Sequence, residues 1–218
     1  HGALAMAREF ENAGVAYFGT ATVEEALEIR QAGLSTPILV LGGMTFQQLP
    51  LLRNYEFFPT IHNREFYDSL ANYVANSGMT IPVHLKVDTG MGRLGMTEQE
   101  AAEVIQNPIP EIRIQGLFTH FACADKPNDE SMHMQISRFN EFVKTYGGKI
   151  PDIHAANSAA ILNYPESHYN LVRPGLLLYG LSPCAEGPDL EPVLSIKSKI
   201  IALRKIQTGQ SIGYGRTF

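Results

Sequence analysis

Hydrophobic residues fall along this chain in two alternating rhythms. Short apolar runs at 16–21, 37–42, 57–61, 112–121, 153–157 and 171–179 have the length and side-chain content of buried strands. Between them, apolar side chains recur at three and four residues, the period of amphipathic helices. Phe66, Leu70, Tyr73 and Val74 form one such stripe, Ala101, Val104 and Ile105 a second, and Met132, Ile136, Phe139 and Val143 a third. A helix also opens the chain, from Leu4 and Ala7 to Asn12, another is predicted over 46–52, and a short Ala-rich helical turn comes after residue 157. Thr22-x-x-Glu25 and Thr97-x-x-Glu100 read as capping boxes, in which threonine and glutamate satisfy each other's backbone N–H groups at a helix start.

One further strand departs from simple burial. Around residues 83–88 the pattern alternates, with Val83, Leu85 and Val87 on one side and His84, Lys86 and Asp88 on the other. A half-exposed edge strand would look the same, but the residues after Asp88 argue for something else. Gly90, Gly92 and Gly95 surround Arg93, and a loop of that composition turns sharply and presents its cation and its amides.

Strands alternating with helices predict right-handed βαβ units and a parallel sheet. The strands number seven, with a leading helix that has no strand before it, and eight units close a (β/α)8 barrel of typically ~250 residues. The expected fold is therefore an α/β, TIM-type barrel incomplete at its N-terminus, its first strand lying upstream of His1. Past residue 185 the texture changes: 193–206 is rich in β-branched residues with no following helix, and Gly209, Gly213 and Gly215 read as turns. The expected division is a barrel domain over 1–185 and the unfinished beginning of a β-rich domain over 186–218.

Composition narrows the partners. Lys and Arg total 17 against 22 acidic residues, a net charge of -5 spread without runs, so there is no electrostatic footprint for nucleic acid. No apolar run approaches the ~20 residues of a membrane span, and no charged-then-apolar leader is seen. Cys123 and Cys184 are read as free thiols, which points to a reducing compartment and the cytoplasm.

In a parallel barrel the polar residues at strand ends share the C-terminal rim, where active sites sit. The candidates are His62, Lys86 and Asp88, His120 and Asp125, His154, Asn157 and Ser158, and Arg173. Two chemistries compete for them. Imidazoles with an aspartate could hold zinc for hydrolysis, but the ligand spacing is poor, and Arg93 and Arg173 on the same rim would repel a dication. Alternatively the rim binds an anion, with backbone N–H groups at Asn157-Ser158 and at the Pro174-Gly175 turn facing a phosphate and the arginines supplying counter-charge. The second is favoured.

Seven segments carry a family resemblance: residues 17–22 (YFGTAT), 86–95 (KVDTGMGRLG), 119–122 (THFA), 154–158 (HAANS), 172–175 (VRPG), 178–180 (LYG) and 213–215 (GYG). In that order along the whole chain they resemble the alanine racemases, pyridoxal 5'-phosphate enzymes with an N-terminal barrel and a β domain. His1-Gly2 is similar to the end of the family's K-x-x-A-Y-G-H-G signature, which would place the imine-forming lysine upstream of His1, so the chain by itself is expected to be inactive.

The resemblance implies the remaining roles. Tyr214 is one catalytic base and the upstream lysine the other, since racemisation removes a proton from one face and returns it on the opposite one. Tyr214 is expected to hydrogen-bond His120, with Arg173 behind it. Arg173 also faces the pyridine nitrogen, and Arg93 points toward the cofactor's phenolic oxygen. Ser158 and the backbone at Gly175 and Leu176 contact the phosphate, with Asn157 and His154 nearby. Spacing alone nominates Lys86 as the imine lysine. The resemblance makes it structural instead, carbamylated in several family members and paired with the arginine that matches Arg93. A homodimer in which Tyr214 reaches the neighbour's cofactor, alanine as substrate, and D-alanine for peptidoglycan complete the expectation. The alternatives are a racemase domain for another amino acid such as serine, or a noncatalytic fragment holding pyridoxal phosphate through its phosphate.

Overall fold

Hydrogen-bonding side chains start most of the helices and set the phase of the turns after them. A computed structural model describes residues 1–75 and 77–216. In chain order the elements are α1 (Ala3–Asn12), β1 (Phe18–Thr20), α2 (Val23–Gln31), β2 (Ile38–Val40), α3 (Leu49–Tyr55), β3 (Phe57–Ile61), α4 (Arg64–Val74), β4 (Ile81–Lys86), α5 (Glu98–Gln106), β5 (Ile112–Phe118), α6 (Glu130–Tyr146), β6 (Asp152–Asn157), α7 (Ser158–Asn163) and β7 (Leu171–Arg173). Both predicted capping boxes form. Thr22 Oγ1 accepts from the Glu25 N–H at 3.3 Å while Glu25 accepts from the Thr22 N–H, and Thr97 and Glu100 repeat the arrangement at the start of α5. Asn63, Asp129 and Asn157 cap α4, α6 and α7 through their side-chain oxygens.

The seven strands are all parallel and pair in sequence order, β1 to β7, as in a (β/α)8 barrel short of one strand. Ring contacts between His1 and Tyr179 (4.4 Å) and between Phe10 and Tyr179 (6.3 Å) bring α1 against the chain that continues from β7, so the ring is nearly closed. Apolar residues on the outer strand faces, such as Val83 and Leu85 of β4, pack with the helices in one core. The inward positions of β4, His84 and Lys86, are buried as well, which disposes of the half-exposed edge strand.

Several boundaries differ from the expectation. β5 stops at Phe118 instead of continuing to Phe121, because Thr119 and His120 turn over the rim. The run expected as one strand over 171–179 breaks after Arg173: Pro174 has no N–H for a ladder, and Leu176–Tyr179 form a 3-10 turn. The helix expected over 46–52 is a 3-10 turn, Phe46–Gln48, leading into α3. Small errors of helical phase shift two stripes, so Tyr67 is buried where Tyr73 was expected, and Phe142 where Val143 was.

Residues 186–216 form no strand. Val193, Leu194, Ile196, Ile200, Ile201 and Leu203 lie exposed along irregular chain, with Ile201 97% exposed. Their β-branched pattern suits a sheet, but among the described residues no strand pairs with this segment, and a lone strand has no ladder to complete.

Candidate functional site

The last inward residue of β7, Arg173, organises the rim. Its Nη1 donates to His154 Nδ1 at 2.6 Å, and its Nη2 donates to the carbonyls of Thr119 (2.8 Å) and Ala155 (2.9 Å) and to His120 Nδ1 at 3.3 Å. The guanidinium carbon lies 5.3 Å from the centre of the Phe118 ring, which stacks on His154. A planar fork of five donors can bridge three strand ends in this way, and an ammonium cannot. Burial lowers the Arg173 guanidinium to about 10, which leaves it a cation at neutral pH.

His120 stands beside it. Burial first, then the charges of Arg173, Lys86 and Arg93, push its imidazole down to about 4, so it is neutral near pH 7. An arginine can only donate, so the His120 Nδ1 facing it must be the bare nitrogen. Its proton therefore sits on Nε2, which is a donor. The loop is held from behind by Gln135 of α6, which donates to the His120 carbonyl at 3.1 Å and accepts from the Ala122 N–H at 3.0 Å.

Lys86 ends β4, buried, with Nζ 5.6 Å from the Phe118 ring centre. Burial, then Arg93 and Arg173, lower its amine to about 8, against a raising contribution from Asp88. Asp88 itself is committed to the glycine loop: Oδ1 accepts from the N–H groups of Gly90 (2.9 Å) and Met91 (2.8 Å), and Oδ2 from Gly92 (2.9 Å). Gly90 and Gly95 hold φ values of 142° and 137° that L side chains rarely adopt, and a Cβ at Gly95 would fall 2.7 Å from the Asp88 nitrogen. The loop thus closes around a carboxylate and leaves Arg93 exposed.

Across the rim, Ser158 is buried at the start of α7, where its Oγ accepts from the Leu177 N–H at 3.4 Å and faces Gly175. Hydroxyl and turn amides thereby converge. Asn157 is spent on structure: Oδ1 caps α7 at the Ala160 N–H and Nδ2 donates to the Phe121 carbonyl.

Arg173, His120, Lys86, Ser158 and the Gly175–Leu177 backbone thus share one end of the barrel. Some expected positions stand apart. His154 is wholly buried behind Arg173, where its ring nitrogens meet Arg173 and His84, so it backs the rim instead of facing it. Asp125 lies exposed in a turn, and His62 stacks on Phe66. Tyr214, in the 3-10 turn Tyr214–Arg216, is fully exposed, and the expected hydrogen bond with His120 is not made within one chain, because the irregular segment after residue 185 does not fold back over the rim. Among the described residues, no three His, Cys, Asp or Glu side chains cluster as metal ligands would. A cavity of about 620 Å³ lined by Thr80, Ile109, Arg113 and Tyr146 opens at the other end of the barrel and holds none of the candidates.

Two contributors escaped the sequence. Gln135 sits three residues from Met132 and four from Phe139, and a glutamine on a core stripe was the available signal. His84 shares its parity with Lys86, but its partners are some seventy residues away.

The donor set is cationic and amide-rich, and the carboxylate beside Lys86, Asp88, is tied up by its own loop. That chemistry fits an anionic, phosphate-bearing ligand. The profile of the family "Alanine racemase, N-terminal domain" matches residues 1–183. The alanine racemase of Sorangium cellulosum (strain So ce56) is 41% identical over 231 residues, covering 100% of this chain and 60% of that protein. Among solved structures, the biosynthetic alanine racemase from Pseudomonas aeruginosa superposes with a TM-score of 0.88 at 30% identity, covering 100% of this chain and 61% of the other. The histidine racemase from Leuconostoc mesenteroides subsp. sake NBRC 102480 gives 0.81 at 29% identity, with 100% and 61% covered. The chain therefore spans about three fifths of the length of its relatives. By its barrel, its motifs and these likenesses, it belongs to the alanine racemase family, whose N-terminal domain it carries.

Proposed function

We propose that this chain forms the cofactor-binding barrel of an enzyme that interconverts L- and D-alanine with pyridoxal 5'-phosphate. One observation supports it above the others: Arg173 is held by four hydrogen bonds at the mouth of the barrel, with Lys86 and Arg93 close enough to bear on the same site and no free carboxylate among them. When bound, pyridoxal phosphate supplies an electron sink that acidifies the α-C–H of an amino acid. Ser158 and the amides of Gly175 and Leu176 would hold its phosphate. Arg173 would face the ring nitrogen, and Arg93 the phenolic oxygen. A guanidinium that stays protonated offers that nitrogen a hydrogen bond and no proton, which limits charge withdrawal and favours return of the α-proton over side reactions.

The proton on one face falls to Tyr214. His120 carries its proton on Nε2 and can donate it to an oxygen there, so a phenol docked against it would have its oxygen held in place for proton transfer. We place residues 186–218 at the start of a β-rich domain that carries Tyr214 to the barrel of a second subunit, making the enzyme a homodimer. The other face falls to the lysine that the resemblance puts before His1. Lys86, partly unprotonated just above neutrality, suits carbamylation, which would turn a third cation on the rim into an anion for Arg93. A cytoplasmic supply of D-alanine for peptidoglycan is the role we assign.

The test is chiral chromatography of alanine incubated with the intact protein and pyridoxal phosphate. Equal D- and L-alanine from either hand is expected. Turnover of serine or histidine with alanine untouched would move the substrate, and pyridoxal phosphate bound without turnover of any amino acid would leave a noncatalytic binding domain.

A further inference from the structure

Behind Arg173 a line of polar groups runs through the barrel interior that racemisation, as assigned above, does not use. His154 of β6 and His84 of β4 are both 0% exposed, and His84 Nδ1 lies 2.9 Å from His154 Nε2. His84 Nε2 is buried with no hydrogen-bond partner and points at Asp152 Oδ2, 3.9 Å away. That same oxygen accepts from the Tyr17 hydroxyl at 2.8 Å and from Gln115 Nε2 at 2.9 Å.

One constraint sets both tautomers. Arg173 only donates, so His154 Nδ1 is bare and its proton lies on Nε2. His154 Nε2 therefore donates to His84 Nδ1, which puts the second proton on His84 Nε2. Each N–H vector points away from the guanidinium and toward the carboxylate. Burial, the larger effect, and the Arg173 charge keep both rings neutral, His84 falling to about 4 and His154 well below its ordinary value, while Asp152 pulls His84 the other way. The last gap, 3.9 Å, is about 1 Å longer than a hydrogen bond, and a small rotation of the ring would close it. Gly116 makes room for this, since a Cβ there would lie 2.5 Å from His84 Cγ.

We propose that His154, His84 and Asp152 form a one-directional hydrogen-bonded strut that fixes the rotamer of Arg173, making His84 and Asp152 positioning residues for the group that meets the ring nitrogen. The proposal rests on Arg173 having that role. It involves no proton transfer, because both imidazoles stay neutral and keep their tautomers.

The test uses the intact protein with 15N-labelled histidine and two-bond 1H–15N correlation at neutral pH. Both rings are expected as neutral Nε2–H tautomers, with the His84 Nε2–H signal displaced in Asp152→Asn. A ring protonated on Nδ1, or on both nitrogens, in the wild type would overturn the strut, as would an Asp152→Asn spectrum identical to it. In steady-state kinetics, Asp152→Asn should lower kcat about tenfold, the scale of a lost hydrogen bond to a charged group, with little change in KM. An unchanged kcat would leave Asp152 without a positioning role. The spectra need no turnover, so a wild type that fails to racemise alanine while showing both tautomers would refute the function and leave the strut standing.

Discussion

Substituting Gly116 by alanine sets the packing of the barrel interior against a single side chain. The new Cβ would lie 2.5 Å from His84 Cγ, far inside the ~3.5–4.0 Å of a carbon contact, and the imidazole must leave. Overpacking of this kind costs about 1–3 kcal/mol. Displacing the ring also breaks the 2.9 Å bond to His154 and strands buried nitrogens, for about another 1–3 kcal/mol. Together about 2–6 kcal/mol should be lost, and with a urea slope of ~2 kcal/mol per M the unfolding midpoint falls by roughly 1–3 M. In a His84→Ala background the ring is gone, and the same change should cost less than about 1 kcal/mol. The double-mutant cycle, read by urea denaturation of the intact protein, should give a coupling of at least about 1 kcal/mol. Additivity within about 0.5 kcal/mol would refute the idea that Gly116 exists to seat His84.

Three further outcomes are expected. His84 is held near 4 when folded against about 6.5 when unfolded, so between those values the unfolded chain binds the extra proton; its contribution is full above pH 6.5 and declines by at most about 3 kcal/mol as pH falls to 4. Urea midpoints measured across that window should drop less steeply in His84→Phe, and equal slopes would contradict this. Asp88→Ala removes the acceptor of three amides, so hydrogen exchange at Gly90, Met91 and Gly92 should quicken and stability fall by about 1–2 kcal/mol; unchanged exchange would mean that the loop needs no carboxylate. Ser158→Ala should weaken pyridoxal phosphate retention about tenfold by absorbance titration, and equal retention would take the hydroxyl out of the phosphate site.

What the sequence made visible was local. Both capping boxes, the bounds of β3, the short helical turn after Asn157 and the glycine loop around Arg93 depend on residues within a few positions of one another, and all formed as expected. The parallel order of the strands was legible too, because strand–helix alternation leaves little freedom in how the chain winds. Features set by distant partners were hidden. Nothing near His84 announces that it will face His154 and Asp152, and Arg173 took its role from resemblance before its four hydrogen bonds explained it. The end of β7 is less legible, since apolar continuity through Tyr179 masks the N–H that Pro174 lacks. The segment 193–206 has the composition of strands without the neighbouring strands that would make it one.

The central claim is that the cationic mouth of this barrel serves removal and return of an α-proton. Its most direct measurement is incubation of the intact protein and pyridoxal phosphate with L-alanine in heavy water, then chiral separation and mass spectrometry. D-alanine carrying deuterium at Cα is predicted, with both the new hand and the label lost in Arg173→Ala. Alanine recovered as the L form with its α-proton intact, while the protein holds pyridoxal phosphate, would contradict it.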